Sequence, residues 1–455
     1  MTSNSSHPPA SMSNGQAAPV NEANPFIETR WERPVVAASG GDVTLLVRVT
    51  APPAPQIGPG RAAPLDVAFV LDRSGSMHGG KLDLAKAGVD LAVARLRDKD
   101  RVALVVYDNE VDTVQSLAAA TPRLKASLRL ALHGIDPRGS TFLSGGWVAG
   151  CQELAEASPV TGEPPTATRI RRTILLTDGL ANAGILDSGE LARHAGAVRQ
   201  RGIATTTIGV GHDFDEGLLS AMAEAGGGNF QYVADPAGLR AFFATELEEL
   251  FSVAATGVTI SLALPPGLAV ELVSAFPVAT REDGLEVAIG DLPAGDEIDL
   301  VFTIRAAAGA AGEQIAVGVN ARWTDPRADA RREAGASPLP LRRVTHHEVA
   351  ATIADAMVSE RAALQRAAAE RRAGLELDRA GRFAESRSRM AAAYDLLEVA
   401  PMTDSVRFDL AESAFLAAAP STASYGSQLR KSAQHREGQR RRGRVDHAGK
   451  DANGS

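Results

Sequence analysis

The sequence is short of cysteine, aromatic residues and long apolar runs. A single cysteine, Cys151, is present among 455 residues, so no intramolecular disulfide framework can form. Aromatic residues make up only 4% of a chain that is 44% hydrophobic, so its cores must be built from Ala, Val, Leu and Ile. No uninterrupted run of about 18 apolar residues occurs, and the sequence therefore predicts no membrane-spanning helix.

A secretory signal and an excess of basic charge are also missing. The N-terminal residues contain neither a basic n-region nor an apolar h-region, and we therefore expect a cytoplasmic protein. The formal net charge is −8 and the isoelectric point is near 5.7, which argues against nucleic-acid binding through a basic surface. We expect neither a membrane nor a nucleic acid as ligand.

Changes in composition divide the chain into six units. Short β-branched runs that alternate with helical stretches indicate an α/β domain, and the turn-separated strands after it indicate an all-β, sandwich-like domain. Termini poor in apolar residues are predicted to be disordered. The predicted units are a disordered N-terminal segment (1–30), a strand segment (31–53), the α/β domain (64–252), the all-β domain (253–344), a helical hairpin region (345–420) and a disordered basic tail (421–455).

Two of these units depend on neighbours that are distant in sequence. The residues of Asp42–Thr50 alternate between apolar and polar, which predicts a half-buried strand, but no partner lies nearby in sequence. We predict that this strand joins the all-β domain, so that the α/β domain is an insertion between them. Near the C-terminus, Val349–Glu376 and Arg382–Leu397 are predicted to form two antiparallel helices.

Five oxygen-bearing side chains occur at the ends of strands or at the starts of helices in the α/β domain. Asp72 follows a strand, and Ser74 and Ser76 occupy alternate positions in the turn after it; Thr141 opens a helical stretch, and Asp178 follows another strand. Open α/β sheets bind ligands at the edge formed by the carboxyl ends of their strands. Oxygen donors without sulfur or imidazole suit a hard cation such as Mg²⁺.

Three separated motifs resemble those of a known family. They are Asp72-Arg73-Ser74-Gly75-Ser76-Met77 with Gly80-Lys81-Leu82, Gly139-Ser140-Thr141 with Leu143-Ser144-Gly145-Gly146-Trp147, and Leu175-Leu176-Thr177-Asp178-Gly179. With them, residues 64–252 closely resemble von Willebrand factor A (VWA) domains of the bacterial, intracellular type. The resemblance implies a Rossmann-like domain with a mostly parallel six-stranded sheet and an intact metal-ion-dependent adhesion site.

The resemblance also implies a role for each of the five residues. Ser74, Ser76 and Thr141 would supply hydroxyl oxygens to Mg²⁺ or Mn²⁺, and Asp72 and Asp178 would act mainly through bound waters or hydrogen bonds. An Asp or Glu of a partner protein would complete the coordination shell. The chain is therefore expected to be a metal-dependent protein-binding adaptor and not an enzyme. The alternative is a non-ATPase subunit of an AAA+ ATPase-driven assembly or metal-insertion machine, and a signalling protein is a further possible partner.

Three other interpretations fit the same turn. Asp72, Ser74 and Ser76 could simply cap the following helix. The segment from Gly75 to Leu82 matches a phosphate loop, G-x-x-x-x-G-K-[ST], except that Leu82 has no hydroxyl. Phosphoryl or acyl chemistry is a third alternative, although no serine elbow or activating histidine accompanies these residues. The metal interpretation uses all five residues together. Asp108 and Glu110 are interpreted as loop residues that follow a strand.

Overall fold

The computed structural model describes residues 26–53, 63–157, 168–178, 181–211, 214–233, 236–336, 338–418 and 425. The disorder predicted for residues 1–25 and for most of 421–455 lies outside this part of the chain. Within it, no helix is long and apolar enough to cross a membrane.

The described chain begins with three strands whose sheets are completed only after residue 252. They are β1 (Phe26–Trp31), β2 (Val35–Ala37) and β3 (Gly41–Thr50). β1 pairs with β3 in an antiparallel register from Phe26↔Thr50 to Trp31↔Leu45. The prediction of disorder through residue 30 is therefore wrong for residues 26–30, because a partner strand provides the hydrogen bonds and burial that the segment cannot provide for itself.

The inserted α/β domain contains one six-stranded sheet. Its strands are β4 (Leu65–Asp72), β5 (Arg101–Tyr107), β6 (Val111–Ala119), β7 (Ile170–Thr177), β8 (Ile203–Val210) and β9 (Gly227–Val233). They lie in the order β6-β5-β4-β7-β8-β9. All neighbours are parallel except the edge strand β6, which is antiparallel to β5. β6 was not identified from the sequence because, on this exposed edge, its side chains lack the buried apolar run of the central strands.

In the described part of the domain, six helices cover both faces of this sheet. They are α1 (Lys81–Arg95), α2 (Pro122–His133), α3 (Leu143–Ala155), α4 (Ser188–Gln200), α5 (Glu216–Gly226) and α6 (Pro236–Ser252). Consecutive residues of β4 face opposite sides, as the two-residue period of a strand requires. Phe69 belongs to the core beneath α1 and α6, whereas Val70 belongs to the core that contains Trp147 of α3. The domain is therefore a Rossmann-like α/β unit with a mixed, mainly parallel sheet.

The chain passes directly from α6 into a second set of strands. They are β10 (Val253–Ala263), β11 (Leu268–Leu272), β12 (Val278–Arg281), β13 (Gly284–Pro293), β14 (Glu297–Ala306), β15 (Gln314–Asp325), β16 (Ala330–Gly335) and β17 (Leu339–Val344). One sheet has the order β1-β3-β14-β11 and the other β12-β13-β10-β15-β17-β2, with β16 paired to β15. β3 pairs with β14 over ten residues, and apolar side chains from both sheets share one core.

Between residues 346 and 418, four helices follow the strands. They are α7 (His346–Ala351), α8 (Ala356–Arg379), α9 (Phe383–Glu398) and α10 (Asp404–Ala417). The predicted two-helix hairpin is therefore incomplete. α10 packs on α8 through the buried ion pair of Arg371 with Asp409, at 3.0 Å. The sequence of α10 shows no one-sided apolar pattern, because two of its large apolar residues, Phe408 and Phe415, lie on the exposed face.

Part of the predicted tail is also packed. Tyr425 is buried, its hydroxyl donates to the Leu416 carbonyl at 2.7 Å, and its ring lies 3.8 Å from the Arg387 guanidinium carbon. The prediction of disorder from residue 421 onward does not hold at this position, because an aromatic ring can be buried against helices that the tail itself does not contain.

Candidate metal centre

Two carboxylates lie at the same edge of the α/β sheet. Asp72 is the last residue of β4, and Asp178 directly follows Thr177 at the end of β7. β4 and β7 are parallel neighbours, so their carboxyl ends meet at one edge. Both side chains are fully buried. The fold therefore brings together two acidic residues that are more than 100 positions apart in sequence.

A chain of hydrogen bonds connects these carboxylates through the turn after β4. Asp72 Oδ1 accepts from the Ser74 amide at 2.7 Å, and the Ser74 and Ser76 hydroxyl oxygens are 3.0 Å apart. The Ser76 hydroxyl donates to Asp178 Oδ1 at 2.8 Å. Ser74 is buried and Ser76 is exposed, so the cluster opens to solvent at Ser76. Four of the five predicted residues are thus in one network.

The fifth residue, Thr141, lies on a loop that is bonded to this turn. The Gly75 amide donates to the Gly139 carbonyl at 3.1 Å, which ties the two loops together. The backbone N–H of Thr141 donates to the side-chain oxygen Oδ1 of Asn182 at 2.8 Å. The backbone N–H of Asn182 in turn donates to the Thr141 carbonyl at 3.2 Å. Thr141 is buried. Asn182, which the sequence did not single out, therefore holds the Thr141 loop beside the strand end that carries Asp178.

The electrostatic environment of Asp72 favours a nearby cation. Burial raises the pKa of this carboxyl above its ordinary value, and the charge of Asp178 raises it further. Hydrogen bonds from Thr177, at 2.6 Å, and from Ser74 lower the pKa but do not cancel these effects. Among the described residues Asp72 has no ion-pair partner. A buried carboxylate of this kind is costly unless a positive charge compensates it.

Asp178, in contrast, has a lysine beside it. Lys81 Nζ lies 2.6 Å from Asp178 Oδ2 and is its hydrogen-bond donor. In the sequence, Lys81 belongs both to the first family motif and to an incomplete phosphate loop, and neither predicts this contact. Leu82, which stands where that loop needs a hydroxyl, is buried in the apolar core under α1. The lysine therefore faces a carboxylate of the candidate centre, which disfavours the phosphate-loop interpretation.

The sequence predicts that Asp108 is an ordinary loop residue, but in the structure it binds both the turn after β4, through Arg73, and the loop that carries Thr141, through Arg138. Its Oδ2 accepts from Arg73 at 2.8 Å and from Arg138 at 2.7 Å, and its Oδ1 accepts from the Glu110 amide at 2.7 Å. Burial alone would raise the pKa of Asp108, but the hydrogen bonds from Arg138, the Glu110 amide and Arg73 outweigh it and lower the pKa. One signal was available in the sequence: Asp108 directly follows β5, just as Asp178 follows β7.

A buried hydroxyl group also borders the centre. Tyr107 pairs with Asp72 in the β4–β5 register, and its hydroxyl forms no hydrogen bond of good geometry among the described residues, although Asp72 and Thr177 lie within its reach. Burial raises the pKa of Tyr107 well above its ordinary value, and the charge of Asp72 adds to this shift. Its phenol is therefore neutral and can act as a donor toward an oxygen or a water at this edge.

The loop that carries Thr141 contains Gly139 in a backbone conformation that favours glycine. Its φ is +70°, and a Cβ at this position would lie 2.2 Å from Asn109 Oδ1. We expect Gly139→Ala to lower the free energy of unfolding by about 1–3 kcal/mol, because the substitution adds both backbone strain and overlap. Gly134→Ala is the control, since a Cβ there meets its nearest atom at 3.6 Å. Chemical denaturation of both variants measures the difference, and equal stabilities would contradict the expectation.

Comparison with known proteins identifies the inserted domain. Residues 66–245 match the family model described as von Willebrand factor type A domain. The chain is 26% identical over 247 residues to the uncharacterized protein YfbK of Escherichia coli (strain K12), covering 52% of this chain and 41% of that protein. It is 25% identical over 293 residues to the uncharacterized protein sll0103 of Synechocystis sp., covering 62% of this chain and 66% of that protein. Both matches span less than two thirds of the relative's length.

A solved structure extends the likeness beyond this domain. The chain resembles a von Willebrand factor type A protein from Catenulispora acidiphila with a TM-score of 0.71 at 19% identity, over 94% of this chain and 98% of that one. At this identity the likeness concerns the fold alone. The α/β unit is therefore a VWA domain, and the additional sheets and helices belong to an architecture that also occurs in a solved protein.

VWA domains are generally protein-interaction or adhesion modules, and they commonly bind a divalent metal. The donor set here fits such an ion by its chemistry. Two buried carboxylates, Asp72 and Asp178, and the hydroxyls of Ser74 and Ser76 are all hard oxygen ligands, and the carboxylates can balance a charge of +2. No group of three or more His, Cys, Asp or Glu poised for a metal occurs among the described residues. A centre here must therefore rely on hydroxyl oxygens.

Proposed function

We propose that this chain is a Mg²⁺-dependent protein-binding adaptor that captures an acidic residue of a partner protein. Ser74, Ser76 and Thr141 would hold Mg²⁺ or Mn²⁺ through their hydroxyl oxygens, and Asp72 and Asp178 would act through waters or hydrogen bonds. When bound, the ion supplies an electrophilic position that accepts a carboxylate oxygen from outside the chain.

The hydrogen-bonded series from Asp72 through the two serines to Asp178 carries this proposal. Its two ends are buried carboxylates, and its middle opens to solvent at Ser76. Asp108 fixes the loops on one side through Arg73 and Arg138. An oxygen-lined, partly open cluster with fixed walls is suited to capturing one outside ligand, because little conformational entropy is lost when that ligand binds.

The same contacts argue against hydrolytic chemistry at this edge. A nucleophilic serine needs a base within hydrogen-bond reach. The carboxylate within reach of the Ser76 hydroxyl is that of Asp178, but its other oxygen is already engaged in an ion pair with Lys81. Ser74 faces Ser76. We therefore assign binding rather than catalysis to these residues.

Partner capture should depend on both the metal and Thr141. We expect affinity capture from an extract of the source cells to retain a partner in the presence of Mg²⁺ and to lose it in EDTA. Thr141→Ala should reduce the retained amount at least about tenfold in Mg²⁺, because a direct ligand is removed. Quantitative mass spectrometry of the retained proteins measures the difference.

Thr121→Ala is the matched control for this experiment. Its hydroxyl caps α2 by accepting from the Leu124 amide and takes no part in the cluster. This variant should retain the same partner as the wild type. Identical partner lists for all variants, with and without EDTA, would mean that the metal edge is not the binding surface. An AAA+ ATPase among the metal-dependent partners would favour the assembly-machine alternative, and a kinase or phosphatase would favour a signalling adaptor.

A further inference from the structure

The incomplete phosphate loop places a positive charge next to the proposed cation site. Lys81 is the first residue of α1, and its ammonium bonds to Asp178 Oδ2 at 2.6 Å. The other oxygen of this carboxylate, Oδ1, accepts from the Ser76 hydroxyl. A single buried carboxylate is therefore shared by a hydroxyl of the proposed site and a lysine of the same chain.

The local backbone leaves room for this side chain over the sheet edge. Gly79 and Gly80 have φ values of +75° and +90°, which turn the chain into α1 at little steric cost only because they are glycines. Gly211 follows β8 with a φ of +77°, and a Cβ there would lie 3.1 Å from Lys81 Cε. The Lys81 side chain is 26% exposed, whereas that of Asp178 is fully buried. The lysine side chain therefore reaches solvent, whereas the carboxylate does not.

We propose that Lys81 is a built-in competitor of the divalent cation, which holds Asp178 in the metal-free protein and must move away or be compensated when the ion binds. This inference rests on the proposed function, since it requires the metal site. A buried carboxylate needs a nearby positive charge, and Lys81 supplies one before the ion arrives. Two cations within a few ångströms of each other repel strongly in a partly buried setting. Lys81 therefore lowers the metal affinity and protects the metal-free fold.

Removing the charge of Lys81 tests this idea. We expect Lys81→Met to bind Mn²⁺ at least about tenfold more tightly than the wild type, because the repulsion between cations is lost. Lys81→Arg, which retains the charge, should stay close to the wild-type affinity. In EDTA, Lys81→Met should melt at a lower temperature than the wild type, and Mn²⁺ should raise its melting temperature by more. Isothermal titration calorimetry and differential scanning calorimetry give the two measurements.

Two further variants make the experiment specific. Lys86→Met removes the same charge from the same helix, where Lys86 contacts Asp83 at 3.2 Å and the Ile135 carbonyl at 3.0 Å, and it should leave the Mn²⁺ affinity unchanged. Lys81→Gln keeps a hydrogen-bond donor near Asp178, so it serves if Lys81→Met does not fold, and it should show the same gain.

The outcomes separate this inference from the proposed function. Tighter Mn²⁺ binding by each neutral Lys81 variant that folds supports competition, including the case in which the wild type binds too weakly to measure. If the wild type binds Mn²⁺ and neither Lys81→Met nor Lys81→Gln binds it more tightly, the competition is overturned and the proposed metal site is unaffected. No Mn²⁺ binding by any variant overturns both.

Discussion

Mn²⁺ should bind Asp72→Asn about 10- to 100-fold more weakly than it binds the wild type. Asparagine keeps the shape of the side chain and one acceptor oxygen, so the Ser74 amide can still donate to it. The substitution removes one of two buried negative charges and alters the hydrogen-bonded frame around the ion, and changes in such frames commonly reduce metal affinity by this factor. Isothermal titration calorimetry with Mn²⁺ and with Mg²⁺ measures the loss.

The control for this substitution removes the same charge elsewhere in the VWA domain. Asp90 lies on α1 and pairs with Arg129 at 2.8 Å on the surface. Asp90→Asn should bind Mn²⁺ as the wild type does, because a solvent-screened charge contributes little to a distant site. Equal affinities for the wild type and Asp72→Asn would contradict the proposed metal centre.

Replacing Asp299 by alanine should destabilise the chain by about 3–5 kcal/mol. This fully buried carboxylate on β14 accepts from Arg48 of β3 through both oxygens, at 2.7 and 2.8 Å, and lies 3.2 Å from Arg361 of α8. It therefore links the N-terminal strand, the later strands and the helices. Removing the carboxylate of this buried ion pair leaves the charge of Arg48 uncompensated, which accounts for the size of the effect. Chemical denaturation followed by circular dichroism measures the free energy of unfolding.

A second Asp–Arg pair between the same two strands provides the comparison. Asp42 of β3 pairs with Arg305 of β14 at 2.9 Å, but both side chains are at least half exposed. Asp42→Ala should change the unfolding free energy little, because exposed ion pairs are weakened by solvent. Similar losses in the two variants would show that burial of Asp299 does not govern the stability of this junction.

The VWA domain was accessible from the sequence because its signals are local. Runs such as Arg101–Tyr107 are buried on both faces, and they stand out as continuous apolar stretches between helices. The edge strand β6 lacks this property and was missed. The last helix, α10, was missed for a related reason, since the exposed Phe408 and Phe415 obscure its buried face.

The residues of the candidate centre could be chosen from the sequence, but their contacts could not. Asp72 and Asp178 stand directly after apolar strands, and the parallel order of those strands was enough to predict that they meet at one edge. The positions of Lys81 and Asp108 depend on how the loops fold over that edge. Each could be interpreted from its neighbours in sequence as something else, namely part of a phosphate loop and an ordinary loop residue.

The sequence by itself determined the alternation of strands and helices, the α/β class of the inserted domain and the oxygen donors at the strand ends, because these follow from short-range periodicity and residue chemistry. Only the tertiary structure decided the pairing of the strand at residues 26–31, the capture of Tyr425 by the helices and the ion pair of Lys81 with Asp178. Each of these depends on a partner outside the segment itself, and whether burial or a counter-charge is available there is a property of the folded molecule.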